Sequence, residues 1–153
     1  MIDLAEHTPR RSTEAIIVHH TATRPDASVE AIRQAHLRRG WKDIGYHLLI
    51  RNGARWKGRP LDAVGSHAPG WNHRSVGVAL VGDYSEAPPP LDQLAQLHAT
   101  LGWLLGRYPG ARILRHDQAM AEVGDPDHTD CPGIHWEGPV LESLAAAGVY
   151  QGG

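Results

Sequence analysis

The residue types best suited to chemistry lie towards opposite ends of the chain. The only cysteine, Cys131, stands in the stretch His116–Gly133, HDQAMAEVGDPDHTDCPG. A lone cysteine cannot close an intramolecular disulfide, which leaves metal ligation, nucleophilic catalysis or burial as a small apolar group. Pro132-Gly133 follows directly and puts the cysteine at a turn, not inside a helix or strand where packing is the usual role. His116 follows a strand-like run, Ala111-Arg112-Ile113-Leu114-Arg115, and strand ends and turns are where side chains are aimed at a site. One cysteine and one histidine do not complete a catalytic zinc site, which usually takes three protein ligands and keeps a fourth position open. A third donor is on offer where Ala15-Ile16-Ile17-Val18 runs into His19-His20-Thr21. In a strand, Ile17 and His19 share one face while Val18 and His20 share the other. The two histidines therefore cannot both reach one metal unless the strand bends.

These residues need a frame to position them. Ala15–His20 reads as a buried strand and Thr23–Asp26 as a loop. Ser28–Arg39 reads as a helix ended by Gly40, with Val29, Ile32, Ala35 and His36 along its inner face. His36 there borders the core. Ile44–Arg51 is a predicted strand, turned at Asn52-Gly53 into a partner strand Arg55–Arg59. Ala63–Val76, AVGSHAPGWNHRSV, has the composition of a loop that carries function. Val76–Gly82 is nearly all apolar and predicts a central strand covered on both faces. Leu91–Tyr108 is the longest helix, with Leu94, Leu97, Leu101, Leu104 and Leu105 on one stripe and Pro109-Gly110 as its stop. Ile113–His116 is a short strand. A last helix opens at Gly138-Pro139 and closes at Gly148. This order predicts a single α/β domain, a mixed central sheet flanked by helices. Residues 1–13 are polar and read as a flexible arm before a domain spanning 14–153, with no repeat, linker or separate wall-binding module.

Five runs occur in order between about Ile16 and Gly133: IIVHHTAT, DIGYHLLIRNG, GSHAPGWNHRSVGVALVG, RHDQ and TDCPG. Each is weak alone. Together they resemble the phage-type N-acetylmuramoyl-L-alanine amidases (endolysins) of the peptidoglycan recognition protein superfamily. The resemblance implies a zinc enzyme that cuts between the muramic acid lactyl group and the L-alanine of the stem peptide. It assigns His19, His116 and Cys131 as zinc ligands, places Tyr46 beside the metal, and sets His67 and Asn72 along the substrate groove. Trp71 is read either as a stacking partner for sugar or peptide or as a cap on the core edge. Two residues before the cysteine, members carry lysine or threonine; here Thr129 can hydrogen-bond a water or an oxyanion but brings no positive charge. His128, beside it, has a suitable ordinary pKa but reads as a surface residue of a polar loop.

Amide hydrolysis needs an activated water, a polarised carbonyl and a proton for the leaving amine. Zinc can supply the first two, and imidazole plus thiolate donors suit zinc while a thiolate argues against magnesium or calcium. A thiolate ligand leaves the shell less positive than three histidines would. A second donor to the developing oxyanion then matters more, and the Tyr46 hydroxyl is the candidate. The alternative class is a peptidoglycan receptor that binds without cutting, but receptor members of the superfamily typically lack the metal cysteine. A zinc deaminase would need a C-x-x-C pair, which this chain does not have.

The remaining composition bounds the partners. The chain has 153 residues, enough for one domain that buries roughly two thirds of its unfolded surface without disulfides. Its formal net charge is −2 and its basic residues, almost all arginine, are scattered. Neither nucleic acid nor an anionic membrane is therefore an expected partner. Met1–His7 lacks the basic and apolar regions of a secretory signal, and no stretch approaches the ~20 apolar residues of a membrane span. The expectation is a monomer made in the cytoplasm that reaches the cell wall by another agent's help, a holin by resemblance.

Overall fold

The run Val76-Gly77-Val78-Ala79-Leu80 has no polar side chain to turn outward, so it must be covered on both faces. The computed structural model describes residues 7–124, 131 and 137–148, and in it this run lies at the centre of the sheet. The strands are β1 (Ala15–His20), β2 (Leu48–Arg51), β3 (Ala54–Lys57), β4 (Ser75–Leu80) and β5 (Arg112–Arg115), ordered β3-β2-β4-β1-β5. β3 is antiparallel to β2 and every other pairing is parallel, so the sheet is mixed, as expected. Helices α1 (Val29–Arg38), α2 (Leu91–Arg107), α3 (His116–Glu122) and α4 (Glu137–Ala146) flank it.

The two faces of the sheet are covered differently. On one, Leu97, Leu101, Leu104 and Leu105 of α2 join Val140 and Leu144 of α4 over Ile16, Val18, Val76, Val78, Leu80 and Ile113. Burying each such leucine stabilises by about 1.5–3 kcal/mol, which makes this the main folding face. The other face carries two separate clusters. One holds Ala15, Ile17, Ala68, Trp71, Leu114, Ala119 and Met120; the other holds Val29, Ile32, Ile44, Leu49, Ala79 and Val81. His19 continues the alternation of Ala15 and Ile17 from the first cluster, and its partner across β1 and β4 is Ala79 of the second. The histidine therefore stands where the two clusters meet.

Several elements depart from the sequence pattern. The strand expected from Ile44 begins only at Leu48, because side chains and loops satisfy the preceding backbone: Asp43 Oδ1 accepts from Ile44 N, and His36 Nδ1 accepts from Gly45 N. α3 is an element the pattern does not predict. His116 is its first residue and not a strand end, and the helix is opened by Gln118 Oε1 accepting from Arg115 N at 2.8 Å. The hairpin turn does form, with positive φ at both Asn52 (50°) and Gly53 (74°), the signature of a type I′ turn. Within the expected arm, residues 7–13 are stitched to the loop at 61–64. Arg10 N donates to Asp62 O, Val64 N donates to Thr8 O, and the Arg10 guanidinium reaches Leu61 O, Ala63 O and the Tyr108 hydroxyl. Residues 1–6 lie outside the described residues. Among the described residues no helix is long and apolar enough to cross a membrane.

Candidate metal centre and its cleft

β1 delivers His19, the junction of β5 and α3 delivers His116, and a turn delivers Cys131. Parallel pairing of Val18 with Arg115 sets the ends of β1 and β5 side by side, one residue before each histidine. Backbone contacts hold Cys131 to both α3 and β1. Asp117 N donates to Cys131 O at 3.0 Å, tying it to the start of α3. His20 N donates to Cys131 Sγ at 3.2 Å, tying it to β1. The outcome is a cluster in which one donor atom each from His19, His116 and Cys131 lie within 4.8 Å of one another. Around a tetrahedral zinc with bonds of roughly 2.0–2.3 Å, donors sit about 3.3–3.8 Å apart, so a small contraction of the cluster meets that geometry.

Burial sets the protonation of this group. Removal from water, with His116 and His67 as neighbours, holds the His19 pKa well below the ordinary value, so its ring is neutral and has a lone pair to give. His67 is depressed in the same way by burial and by its histidine neighbours. Burial, and then the charge of Cys131, push the Tyr46 phenol well above its ordinary value, so it remains an O–H donor.

The cluster lines a cleft of about 450 Å³. Tyr46 also lines it, its ring centroid 5.1 Å from that of His19. The other walls come from His36 in the last turn of α1, from Arg39 and Trp41 just after it, from Ser66 and His67, and from Asp83 and Ser85 after β4. Thr21 and Ala22 close one end, with Ala22 in the left-handed region at φ 56°, a conformation that costs a non-glycine residue roughly 1–2 kcal/mol. Nothing in the sequence pattern singles out Arg39, Trp41 or Ser66. They follow helix and loop ends whose direction is set by packing.

The structure separates the other expected site residues. His67 lies in the cleft and meets His19, Nδ1 to Nε2 at 2.9 Å. Trp71 and Asn72 do not line it. Trp71 is 3% exposed, packs against α3 and donates its indole N–H to Ala119 O at 2.9 Å. Asn72 Oδ1 accepts from the backbone of His67 and Ala68. Both residues shape the loop that presents His67. His20 turns away from the metal cluster, its Nδ1 accepting from Tyr84 N at 2.9 Å. Thr129 and His128 lie outside the described residues.

The N-acetylmuramoyl-L-alanine amidase family matches residues 9–134. The endolysin of Escherichia phage T7 is 43% identical over 125 residues, covering 74% of this chain and 81% of the phage protein. A peptidoglycan-recognition protein of Drosophila melanogaster is 33% identical over 131 residues, covering 78% of this chain and 68% of its own. Among solved structures, the endolysin N-acetylmuramoyl-L-alanine amidase LysCS of Clostridium intestinale superposes with a TM-score of 0.78 at 34% identity, covering 94% of this chain and 89% of the other. A match over most of the chain, in sequence and in fold, leads to one conclusion: the chain belongs to the N-acetylmuramoyl-L-alanine amidase family.

Proposed function

We propose that the protein is a zinc-dependent N-acetylmuramoyl-L-alanine amidase, an endolysin that hydrolyses the lactyl amide between muramic acid and L-alanine in bacterial peptidoglycan. The observation that carries this reading is the convergence of His19, His116 and Cys131 within 4.8 Å, in a cleft that Tyr46 also lines. Two imidazoles and a thiolate suit zinc. Zinc held there would lower the pKa of a water and polarise the scissile carbonyl.

The protein's own groups do the rest. His19 offers a neutral nitrogen because its burial forbids the charged ring. The Tyr46 hydroxyl stays protonated and donates to the carbonyl oxygen as negative charge builds on it. Water supplies the new C–O bond, the C–N bond breaks, and the amine of L-alanine leaves with a proton. Thr129 is proposed as a further hydrogen-bond partner of the water or oxyanion. The protein acts as a monomer and reaches the wall after release through a holin.

The test is mass spectrometry of purified peptidoglycan after digestion, with metal analysis of the same preparation. Stem peptide with a free L-alanine amino terminus and close to one zinc per chain are expected. Peptidoglycan bound but intact would favour the receptor reading, and cleavage undiminished after exhaustive chelation would remove zinc from the mechanism.

A further inference from the structure

His67 is buried above the sheet with a hydrogen-bonding group at each ring nitrogen. Its Nδ1 lies 2.9 Å from His19 Nε2, and its Nε2 lies 3.3 Å from Ser75 Oγ. Ser75 Oγ is in turn 2.7 Å from the Trp71 carbonyl. A carbonyl only accepts, so the single Ser75 hydroxyl proton goes to Trp71 O. Ser75 Oγ must then accept from His67, which places the His67 proton on Nε2. The neutral His67 Nδ1 is therefore a lone pair, and the short contact to His19 requires that His19 Nε2 carry the proton. The one nitrogen of His19 left to bind a metal is Nδ1.

The surroundings are built for this arrangement. A Cβ at Gly77 would lie 2.6 Å from His67 Cγ and 2.7 Å from its Nδ1, and one at Gly65 would lie 2.6 Å from its Cδ2. The ring fits because the residues on either side have no side chain. His47, the neighbouring histidine, is engaged elsewhere: Gly77 N donates to its Nδ1, and its Nε2 faces Ala63 O. It does not compete for His67.

We propose that His67 is a positioning residue: held by Ser75 and the Trp71 carbonyl, it fixes His19 as the Nε2–H tautomer and presents the His19 Nδ1 lone pair to the space shared with His116 and Cys131. This assigns His67 a role towards the ligand instead of towards substrate. It rests on the reading of His19 as a metal ligand. Partners of this kind typically change metal affinity by about 10–100-fold.

The first measurement is made on the metal-free protein above neutral pH. Histidine labelled with ¹⁵N, read by two-bond ¹H–¹⁵N correlation, reports which nitrogen of each ring carries the proton. His19 and His67 should both be Nε2–H. A His19 ring protonated on Nδ1 would overturn the proposal without any variant being made. The second measurement is zinc affinity by chelator competition. His67→Phe keeps a ring but no nitrogen, and it should weaken zinc by about 10–100-fold. His67→Asn can place Oδ1 where Nδ1 stood and should recover most of that loss. Wild-type zinc affinity in His67→Phe, with only KM raised, would make His67 a substrate contact and sink the idea. The tautomer is read without metal, so a wild-type protein that binds no zinc would defeat the proposed function while leaving the tautomer result standing.

Discussion

Tyr46→Phe separates chemistry from packing in this site. The Tyr46 ring sits 5.1 Å from His19 and 5.4 Å from His36, centroid to centroid, and phenylalanine keeps both contacts. Among the described residues the Tyr46 hydroxyl makes no hydrogen bond, so its removal leaves none of their polar groups unsatisfied. The change in stability should stay within about 0.5 kcal/mol, and zinc content should be unchanged. What is lost is a donor that burial and Cys131 hold in its protonated form at every working pH. Deleting one preorganised oxyanion donor typically lowers kcat by about 10²–10³, which is about 2.7–4 kcal/mol of transition-state stabilisation. The interaction is made as charge develops, so KM should move little. The assay is initial-rate cleavage of a soluble muropeptide, with zinc content and thermal midpoint measured on the same preparation. A variant that keeps its zinc and cuts at the wild-type rate would refute the argument, make Tyr46 a wall residue and point to Thr129 as the next candidate donor. A raised KM at unchanged kcat would show a ground-state contact with substrate instead.

Four further outcomes follow from the same geometry. His19→Ala should lose zinc and activity, whereas His20→Ala should keep zinc and lose roughly 1–3 kcal/mol of stability by orphaning Tyr84 N; the opposite pattern in metal analysis and urea melts would reverse the assignment. Cys131→Ser should fold cooperatively and still sediment with peptidoglycan but not cut it, since the leucine-rich face folds without metal; a variant with no cooperative melt would make the metal structural. Gly77→Ala should cost about 1–3 kcal/mol by chemical denaturation because its methyl group meets the His67 ring, and a neutral substitution would show that the space is not limiting. Burial, with arginines nearby, lowers the pKa of His36 to about 4 and that of His47 to about 3, against 6.5 in the unfolded chain. Below pH 6.5 the unfolded state binds protons that these folded rings refuse. The metal-free protein should therefore lose stability as pH falls from 6.5 through about 4, by up to ~1.4 kcal/mol per pH unit for each ring, and a flat thermal midpoint across that range would contradict the assignment.

The parts of this protein legible in its sequence are those encoded by local periodicity and by turn chemistry. Period-two alternation in AIIVHH put His19 on the face of Ile17, and the structure has it there, at the edge of the cluster that Ile17 joins. Asn52-Gly53 predicted its hairpin, the leucine stripe predicted α2, and the apolar run predicted the central β4. The family resemblance named His19, His116 and Cys131, whose donor atoms lie within 4.8 Å of one another. Tertiary structure decided the rest. β2 starts at Leu48 and not at Ile44 because Asp43 and His36 take the N–H groups of Ile44 and Gly45, and no pattern within the strand records those partners. α3 is too short for periodicity to reveal and depends on a side-chain cap at Gln118. Trp71 and Asn72 turn inward because the loop packs on α3 and bonds to its own backbone, which loop composition does not encode. The proton on His19 is decided furthest from its own neighbours in sequence. It follows from a chain of hydrogen bonds through His67 and Ser75 to a carbonyl at Trp71, because a tautomer is set by whichever partner can only accept.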